Sequence, residues 1–465
     1  VCGRTSGTAV KKALRVAEPA TRVGEKVARR VRLQGHVQGV GFRPFVYRLA
    51  RKHGIDGHVQ NQLGEVEVVA VGEIEIVERF TRDLVACAPP LSSPSLAAVE
   101  SIDVPEVDGF EIIESLADSD AQIFVPPDYF MCDDCRHELQ DPADRRYAYP
   151  FINCTQCGPR YTLIKALPYD RPNTSMRDFS LCPECEAEYL DPADRRFHAE
   201  PVACAKCGPQ LSFAEQGVAL VEETNAALAR AVAAISAGDV VAVKGIGGYH
   251  LVCDAHNEEA VARLRDRKHR PHKPLAVMFP VAGDDGLDVA RESVALTDEE
   301  AEIAAGPIRP IVLARRRSGC TLAANVAPGL DEVGVFLPYS PLHQLLLDAL
   351  GGPVVATSGN ISGEPVLTDN EEAEHRLNTV ADAFLQHNRP IVRPADDPVY
   401  RRIAGRMRPL RIGRGCAPRE LSLPWAQSEP LLAVGGHMKG TVALSWGRRV
   451  VVSPHIGEMD SPRSL

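Results

Sequence analysis

Apolar and polar positions change period repeatedly along the first quarter of the chain. Val31 and Leu33 alternate with polar neighbours, which predicts a strand. Phe42, Phe45, Val46, Leu49 and Ala50 then recur at helical spacing, with Gly54 where a C-capping glycine would end the helix. Gly64-Glu-Val-Glu-Val-Val-Ala-Val71 alternates again. Ile76, Phe80 and Leu84 mark a second helix, stopped by Pro89-Pro90, and Leu96 to Val104 is a further strand. Farther on, a helix over Thr224–Ala237 leads through Gly238-Asp into Val240-Val-Ala-Val243, which reads as a buried strand. Apolar strands at Leu275–Met278, Ile311–Leu313 and Val354–Ala356 alternate with helical stretches. Pro424 falls in a short linker before a strand-rich stretch: Leu431–Val434, Thr441–Leu444 and Val450–Val452.

These periods divide the chain into an expected leader over 1–27 and an α+β unit over 28–118. A cysteine-rich block follows over 120–215, then an α/β unit with a mixed sheet over 222–418, then the first part of another unit over 430–465. The first unit has the order β-α-β-β-α-β, that of a ferredoxin-like split βαβ fold. The fold class is therefore α+β, multidomain. A length of 465 residues agrees with several domains of about 150 each. With 45% hydrophobic and 25% charged residues, disorder over most of the length is excluded. No run of 18 apolar residues occurs, which excludes a transmembrane helix. The net charge of −10 weighs against a general polyanion binder, so neither nucleic acid nor membrane is an expected partner. Residues 1–30 lack the apolar core of a signal peptide, and the cytoplasm is the expected compartment.

Cysteine changes the picture most. Of 13 cysteines, eight fall in one 76-residue window, while Cys2, Cys87, Cys253, Cys320 and Cys416 are scattered. The eight form C-x2-C-x18-C-x2-C, then 24 residues, then the same spacing again. Asp141-Pro-Ala-Asp-Arg-Arg146 returns as Asp191-Pro-Ala-Asp-Arg-Arg196, so the block (132–157 and 182–207) is a tandem repeat. Four thiolates make one closed tetrahedral site, the structural kind of zinc centre. Cys132, Cys135, Cys154 and Cys157 are assigned to one Zn²⁺, and Cys182, Cys185, Cys204 and Cys207 to a second. Ligand exchange between the modules stays open on spacing alone.

Gly35-His-Val-Gln-Gly-Val-Gly-Phe-Arg43 joins the first strand to the first helix. Its glycines let backbone N–H groups turn toward an anion, the helix N-terminus adds positive charge, and Arg43 offers a planar fork for two phosphate oxygens. Asn61, on the next strand, could orient a water. The string resembles the acylphosphatase family over about residues 28–115. That resemblance implies a phosphate loop of Gln38, Gly39, Val40, Gly41 and Phe42, with Arg43 and Asn61 catalytic. The implied chemistry is attack of water on the phosphorus of an acyl phosphate.

No P-loop motif occurs. Arg263-Leu-Arg-Asp-Arg-Lys-His-Arg-Pro-His-Lys273 instead gathers six cations in eleven positions at the mouth of an apolar strand, which suits a triphosphate. Thr357-Ser-Gly-Asn360 offers hydroxyls and an amide. Arg393-Pro-Ala-Asp-Asp-Pro-Val-Tyr-Arg401 sets two carboxylates between arginines, for Mg²⁺ or for fixing those arginines. Together these resemble the YrdC family over about 222–415. The resemblance implies ATP binding and formation of a carbamoyl-type adenylate. Lys268, Arg270 and Lys273 would hold phosphates, and Ser358 and Asn360 would line the adenylate pocket; Arg393 and Arg401, flanking the two carboxylates, are assigned to the same ATP site.

An acylphosphatase-like unit, twin four-cysteine modules and a YrdC-like unit, in that order, resemble the HypF family of hydrogenase maturation carbamoyltransferases. In that family an actin-like ATPase-fold (ASKHA) transfer domain follows. Gly435-Gly-His-Met-Lys439 and His455-Ile-Gly-Glu458 resemble its beginning. The implied enzyme is an ATP-dependent carbamoyltransferase and ligase with acylphosphatase activity. Carbamoyl phosphate and ATP with Mg²⁺ are its implied substrates, and HypE, through a C-terminal cysteine, its implied protein partner. The alternatives are a YrdC-type tRNA threonylcarbamoyladenylate synthase and a zinc-organised binding protein with inactive sites.

Overall fold

A strand from Lys26 to His36 (β1) opens the described chain of this computed structural model, which covers residues 26–37, 40–62, 65–89, 92–113, 125–167, 169–215, 220–361, 363–458 and 461. Most of the expected leader, residues 1–25, lies outside the described residues. Helix α1 (Phe42–His53) ends where Gly54 turns left-handed at φ 66° and donates its N–H to the last turn. β2 (Asp56–Gln62), β3 (Glu65–Glu73), α2 (Ile74–Ala86), β4 (Ser93–Ile102) and a short β5 (Phe110–Ile113) complete the unit. The sheet order is β4-β1-β3-β2-β5. Val31, Leu33, Val46, Val59, Val68, Phe80 and Leu84 form one core between the sheet and the two helices. The ferredoxin-like expectation holds, with β5 added in parallel beside β2.

The cysteine block folds twice in the same way. Cys132 and Cys182 cap α3 (Asp133–Gln140) and α4 (Pro183–Leu190), which places Cys135 and Cys185 in each first turn. The repeated Asp-Pro-Ala-Asp-Arg-Arg string makes the same local bonds in both copies. Asp141 and Asp191 each accept the N–H two residues on at 2.9 Å, and Asp144 and Asp194 do so at 2.7 Å. These are Asx turns, in which a short side-chain carboxylate replaces a backbone acceptor. Ala148 and His198 share a left-handed φ of 51° and 50°. The first module shares its core with the following domain: Met131, Leu139, Tyr149 and Phe151 pack with Leu211, Val241, Phe336 and Leu342.

That domain runs through β6 (Leu211–Glu215), α5 (Thr224–Ser236), β7 (Val241–Lys244), β8 (Tyr249–Asp254), α6 (Glu258–Arg267) and β9 (Ala276–Met278). It continues with α7 (Asp288–Ser293), β10 (Val294–Ala295), α8 (Asp298–Ala305), β11 (Ile311–Arg316), β12 (Glu332–Phe336) and α9 (Pro341–Leu350). β13 (Val354–Ser358), α10 (Asn370–Leu377), β14 (Ala383–His387), β15 (Val399–Ile403) and β16 (Arg406–Arg411) close it. The mixed sheet has the order β16-β15-β11-β12-β9-β13-β8-β7-β14-β6, with β10 beside β11. The apolar runs at 240–243 and 354–356 read as buried strands because they are central, with both faces covered.

One boundary differs from the expectation. Pro424 is not in a linker but inside β17 (Arg419–Val434), which pairs with β18 (Val442–Val452) in a two-stranded hairpin. The register breaks between Ser422 and Gln427, which spares Pro424 a ladder bond it has no N–H to make.

Candidate functional site

Strand register builds the first site. Leu33 of β1 and Asn61 of β2 both face Val66 of β3, and both outer strands run antiparallel to β3. The C-terminal ends of β1 and β2 therefore lie at the same edge of the sheet, where the chain turns into α1. Gly41, at φ 70°, caps α1, and Val40 and Phe42 are buried. Gln38 and Gly39 lie outside the described residues. Arg43 sits in the first turn of α1. Burial lowers its pKa, opposed by nearby Asp170, Glu200 and Tyr189. Asn61 Oδ1 is buried without a hydrogen-bond partner among the described residues.

The neighbours of Arg43 come from the cysteine block, and the sequence reading did not include them. Tyr189 donates its hydroxyl to Glu200 at 2.8 Å, and the Arg171 N–H donates to the same carboxylate at 2.6 Å. The His198 ring stacks on Tyr189 at 4.9 Å. Burial pushes the Glu200 carboxyl up to about 7. A signal was available in the repeat. Tyr189, His198 and Glu200 stand where the first copy has Leu139, Ala148 and Pro150, so the second copy departs from the first at positions near Arg43. Both copies also reach the acylphosphatase-like unit, the first through Thr155 and the second through Asp194. A Cβ on Gly41 would meet the Thr155 side chain at 2.8 Å, and Arg48 donates to the Asp194 carbonyl at 3.5 Å.

The eight thiols form two separate clusters, each within one module. Sγ–Sγ separations are 3.7 Å for Cys132–Cys154, 3.8 Å for Cys154–Cys157 and 3.5 Å for Cys157–Cys135. They are 3.7, 3.7 and 3.6 Å for Cys182–Cys204, Cys204–Cys207 and Cys207–Cys185. A tetrahedron with Zn–S bonds of about 2.3 Å has edges of about 3.8 Å, so each set fits a structural zinc. In each cluster all four sulfurs belong to one module.

The paired arginines of the repeat cross between modules. Arg145 and Arg146 of the first copy donate to Cys185 Sγ at 3.3 and 3.4 Å and bind Glu188. Arg195 of the second copy donates to Cys135 Sγ at 3.2 Å, and with Arg196 it binds Glu138. A four-thiolate zinc site carries two net negative charges, and here each is faced by cations from the other module.

The third site is a cavity of about 310 Å³ lined by Arg270, Lys273, Thr357, Ser358, Asp396 and Asp397, among others. Its size suits a small-molecule ligand. Arg270 donates to Thr357 Oγ1 at 2.9 Å, and burial lowers its pKa to about 10. Buried Arg265 fixes the cationic loop by donating to the carbonyls of Arg270 at 2.7 Å and Lys273 at 3.0 Å. Lys268 and Asn360 stand one layer behind the wall. Lys268 Nζ donates to the Ser358 carbonyl and, at 3.2 Å each, to the Asn360 carbonyl and Oδ1. Burial beside Arg270 and Lys273 lowers the Lys268 pKa to about 7. These donors tie Lys268 to the Ser358–Asn360 loop, next to Arg270 and Lys273.

Arg393 and Arg401 do not line the cavity. Arg393 lies over the Tyr161 ring of the cysteine block at 5.6 Å, and exposed Arg401 pairs with Glu332 at 3.0 Å. The two carboxylates between them bind other partners. Asp397 accepts from Arg414 at 3.1 Å and pairs with His250 at 2.8 Å, while Asp396 pairs with His455 at 3.1 Å. Residues missed by the sequence reading are His250, Tyr339, Arg411 and Arg414, which stand apart from the motifs and are brought in by the fold. Lys439, from the stretch after β17, also lines the cavity. Tyr339 borders both this cavity and a gap of about 20 Å³ reaching Met131, Phe151 and Ile152 of the first module.

Residues 29–112 match the acylphosphatase family, and 131–164 and 181–214 match the HypF finger. Residues 233–413 match the Sua5/YciO/YrdC family, described as telomere recombination, and 426–465 match the HypF Kae1-like domain. The chain is 49% identical over 431 residues to carbamoyltransferase HypF of Synechocystis sp., covering 93% of this chain and 55% of that one. It is 48% identical over 456 residues to carbamoyltransferase HypF2 of Cupriavidus necator, covering 92% and 55%. A crystal structure of full-length HypF in the phosphate- and nucleotide-bound form aligns at TM-score 0.85 and 42% identity, over 95% of this chain and 57% of that one. The chain spans about half the length of the curated relatives it matches.

Proposed function

The chain belongs to the HypF carbamoyltransferase family, and from that premise we propose that it converts carbamoyl phosphate and ATP into carbamoyl adenylate at two linked sites. At the first, the loop N–H groups and Arg43 hold the phosphoryl oxygens while Asn61 orients the water that attacks phosphorus. The products are phosphate and carbamate. At the second, Arg270 and Lys273 hold the triphosphate, with Ser358 in the adenylate wall and Lys268 and Asn360 shaping the loop behind it. A carbamate oxygen attacks the α-phosphorus, the bond to the β-phosphate breaks, and pyrophosphate leaves. The two zinc ions, where bound, hold the cysteine block together and take no part in either step. Mg²⁺ accompanies ATP, the reaction runs in the cytoplasm, and the carbamoyl group is destined for the C-terminal cysteine of HypE. Carbamate decays in water, so an enclosed passage between the sites serves the sequence of steps.

The observation that carries this reading is the position of the cysteine block. Thr155 presses on the phosphate loop at Gly41, while Phe151 shares a core with the strands of the cavity domain. The test is ATP–pyrophosphate exchange dependent on carbamoyl phosphate. Exchange supported by threonine with bicarbonate instead would point to a threonylcarbamoyladenylate synthase. No exchange with either would leave a binding protein.

A further inference from the structure

The loop that joins β17 to β18, residues 435–441, is carried to the mouth of the cavity. Gly435 closes it by donating its N–H to the Thr441 carbonyl at 2.8 Å. Ile456, beyond β18, donates to the Gly440 carbonyl at 3.1 Å, and the neighbouring His455 donates to the Ile412 carbonyl, just past β16, at 2.9 Å. The His455 ring also meets Asp396 of the cavity wall at 3.1 Å. Within this tethered loop Lys439 takes a left-handed φ of 51°, which is unfavourable for a residue with a Cβ and is a mark of functional positions. Lys439 is exposed and lines the cavity, so a ligand entering there can reach it.

Arg270, Lys273 and Arg411 line the same cavity. Their charges act on one another. Burial lowers the Lys273 pKa, and Arg270, Lys439 and Arg411 lower it further against the opposing pull of Glu458. Arg411 also acts on Arg270. The cations therefore converge on one part of the cavity. Its two carboxylates are engaged elsewhere, Asp397 by His250 and Arg414 and Asp396 by His455. Like charges held together repel, and a polyanion relieves that repulsion. Leu275, Ile311, Leu313 and Val366 give the cavity an apolar part that suits a nucleoside base. A nucleotide seated base-inward turns its outermost phosphates to the rim, where Lys439 stands. We propose that Lys439 binds the β- and γ-phosphates of ATP, so that the adenylation site takes one phosphate-binding side chain from the hairpin that follows the cavity domain. This rests on the proposed function and adds a residue to its second site. A lysine serves there as a point charge, and AMP, which lacks the outer phosphates, does not engage it.

The test titrates Lys439→Ala and Lys439→Arg, each in the full chain, with ATP and with AMP by calorimetry. ATP–pyrophosphate exchange dependent on carbamoyl phosphate is measured on the unaltered chain. The alanine variant should bind ATP at least about tenfold more weakly, the loss of one charge-assisted bond, and AMP within about twofold of the unaltered chain. The arginine variant, which keeps the charge, should bind ATP within about threefold of the unaltered chain. Unchanged ATP affinity in the alanine variant, equal weakening of ATP and AMP, or an arginine variant as weak as the alanine one overturns the assignment of Lys439. The proposed function stands through any of these results if the unaltered chain supports exchange. Absence of that exchange overturns the proposed function instead.

Discussion

Around Arg43 the neighbours are borrowed: Asp170, Tyr189, His198 and Glu200 all come from the cysteine block, more than a hundred positions along the chain. Around Arg270 they are native to the domain, with β8, β13 and the loop fixed by Arg265 supplying most of the wall. A small split βαβ unit has one helix-covered face and a loop at its edge, so it exposes an anion site that another module must close. A wide mixed sheet can wall a cavity by itself. The difference teaches that zinc-dependent order should matter more directly to phosphate release than to nucleotide binding.

The largest test of that contrast separates the two centres. Arg43→Ala should reduce phosphate release from carbamoyl phosphate at least about a hundredfold, since it removes the charge that meets the developing phosphoryl charge. ATP affinity of the same variant, read by calorimetry, should not change. Arg270→Ala should do the reverse, sparing phosphate release and abolishing exchange. Loss of ATP affinity in Arg43→Ala, or of phosphate release in Arg270→Ala, would erase the distinction.

The next effect concerns the crossed arginines. Replacing Arg195 and Arg196 with alanine should speed zinc loss from Cys132, Cys135, Cys154 and Cys157, although the substitutions lie in the other module. Second-layer partners of metal ligands are worth about 10–100-fold in affinity. Chelator competition counts the released zinc, and alkylation mapped by mass spectrometry tells which four cysteines opened. Faster loss from the second module's own site would contradict the crossing. Arg145 and Arg146 should act reciprocally on the second site.

A smaller effect should appear in the pH profile. Glu200 ordinarily ionises near 4.5, and burial raises this to about 7. The folded state therefore favours its neutral form. Stability should fall as pH rises from about 4.5 to about 7, and the carboxylate formed above that range competes for Arg43. Carbamoyl phosphate hydrolysis should decline severalfold as pH passes through about 7, and Glu200→Gln should flatten that decline. The smallest effect is expected at Arg401. Its pair with Glu332 is exposed, and Arg401→Ala should leave both activities at wild-type rates.

Periodic segments were legible in the sequence because burial on one face leaves a local signature. The strand at Val31, the helix at Phe42 and the strands at 241–243 and 354–356 needed no partner to be read. The eight cysteines were legible for the same reason, since their spacing is local. Arg393 and Arg401 misled because flanking a pair of carboxylates does not say which way a strand turns its side chains. β15 sends Arg401 to solvent, while the carboxylates are taken by His250, Arg414 and His455. His250 has no local signature: register against Ser358 brings it to the cavity. Pro424 reads as a breaker in sequence, yet a two-stranded hairpin with a broken register accommodates it.

The central claim is that one small product passes between the two centres and is adenylated. Carbamoyl phosphate labelled at carbon, incubated with the chain and ATP, should give labelled carbamoyl adenylate together with pyrophosphate, and neither should form with Arg43→Ala. Label recovered only as carbon dioxide from both proteins, with ATP untouched, would contradict the account.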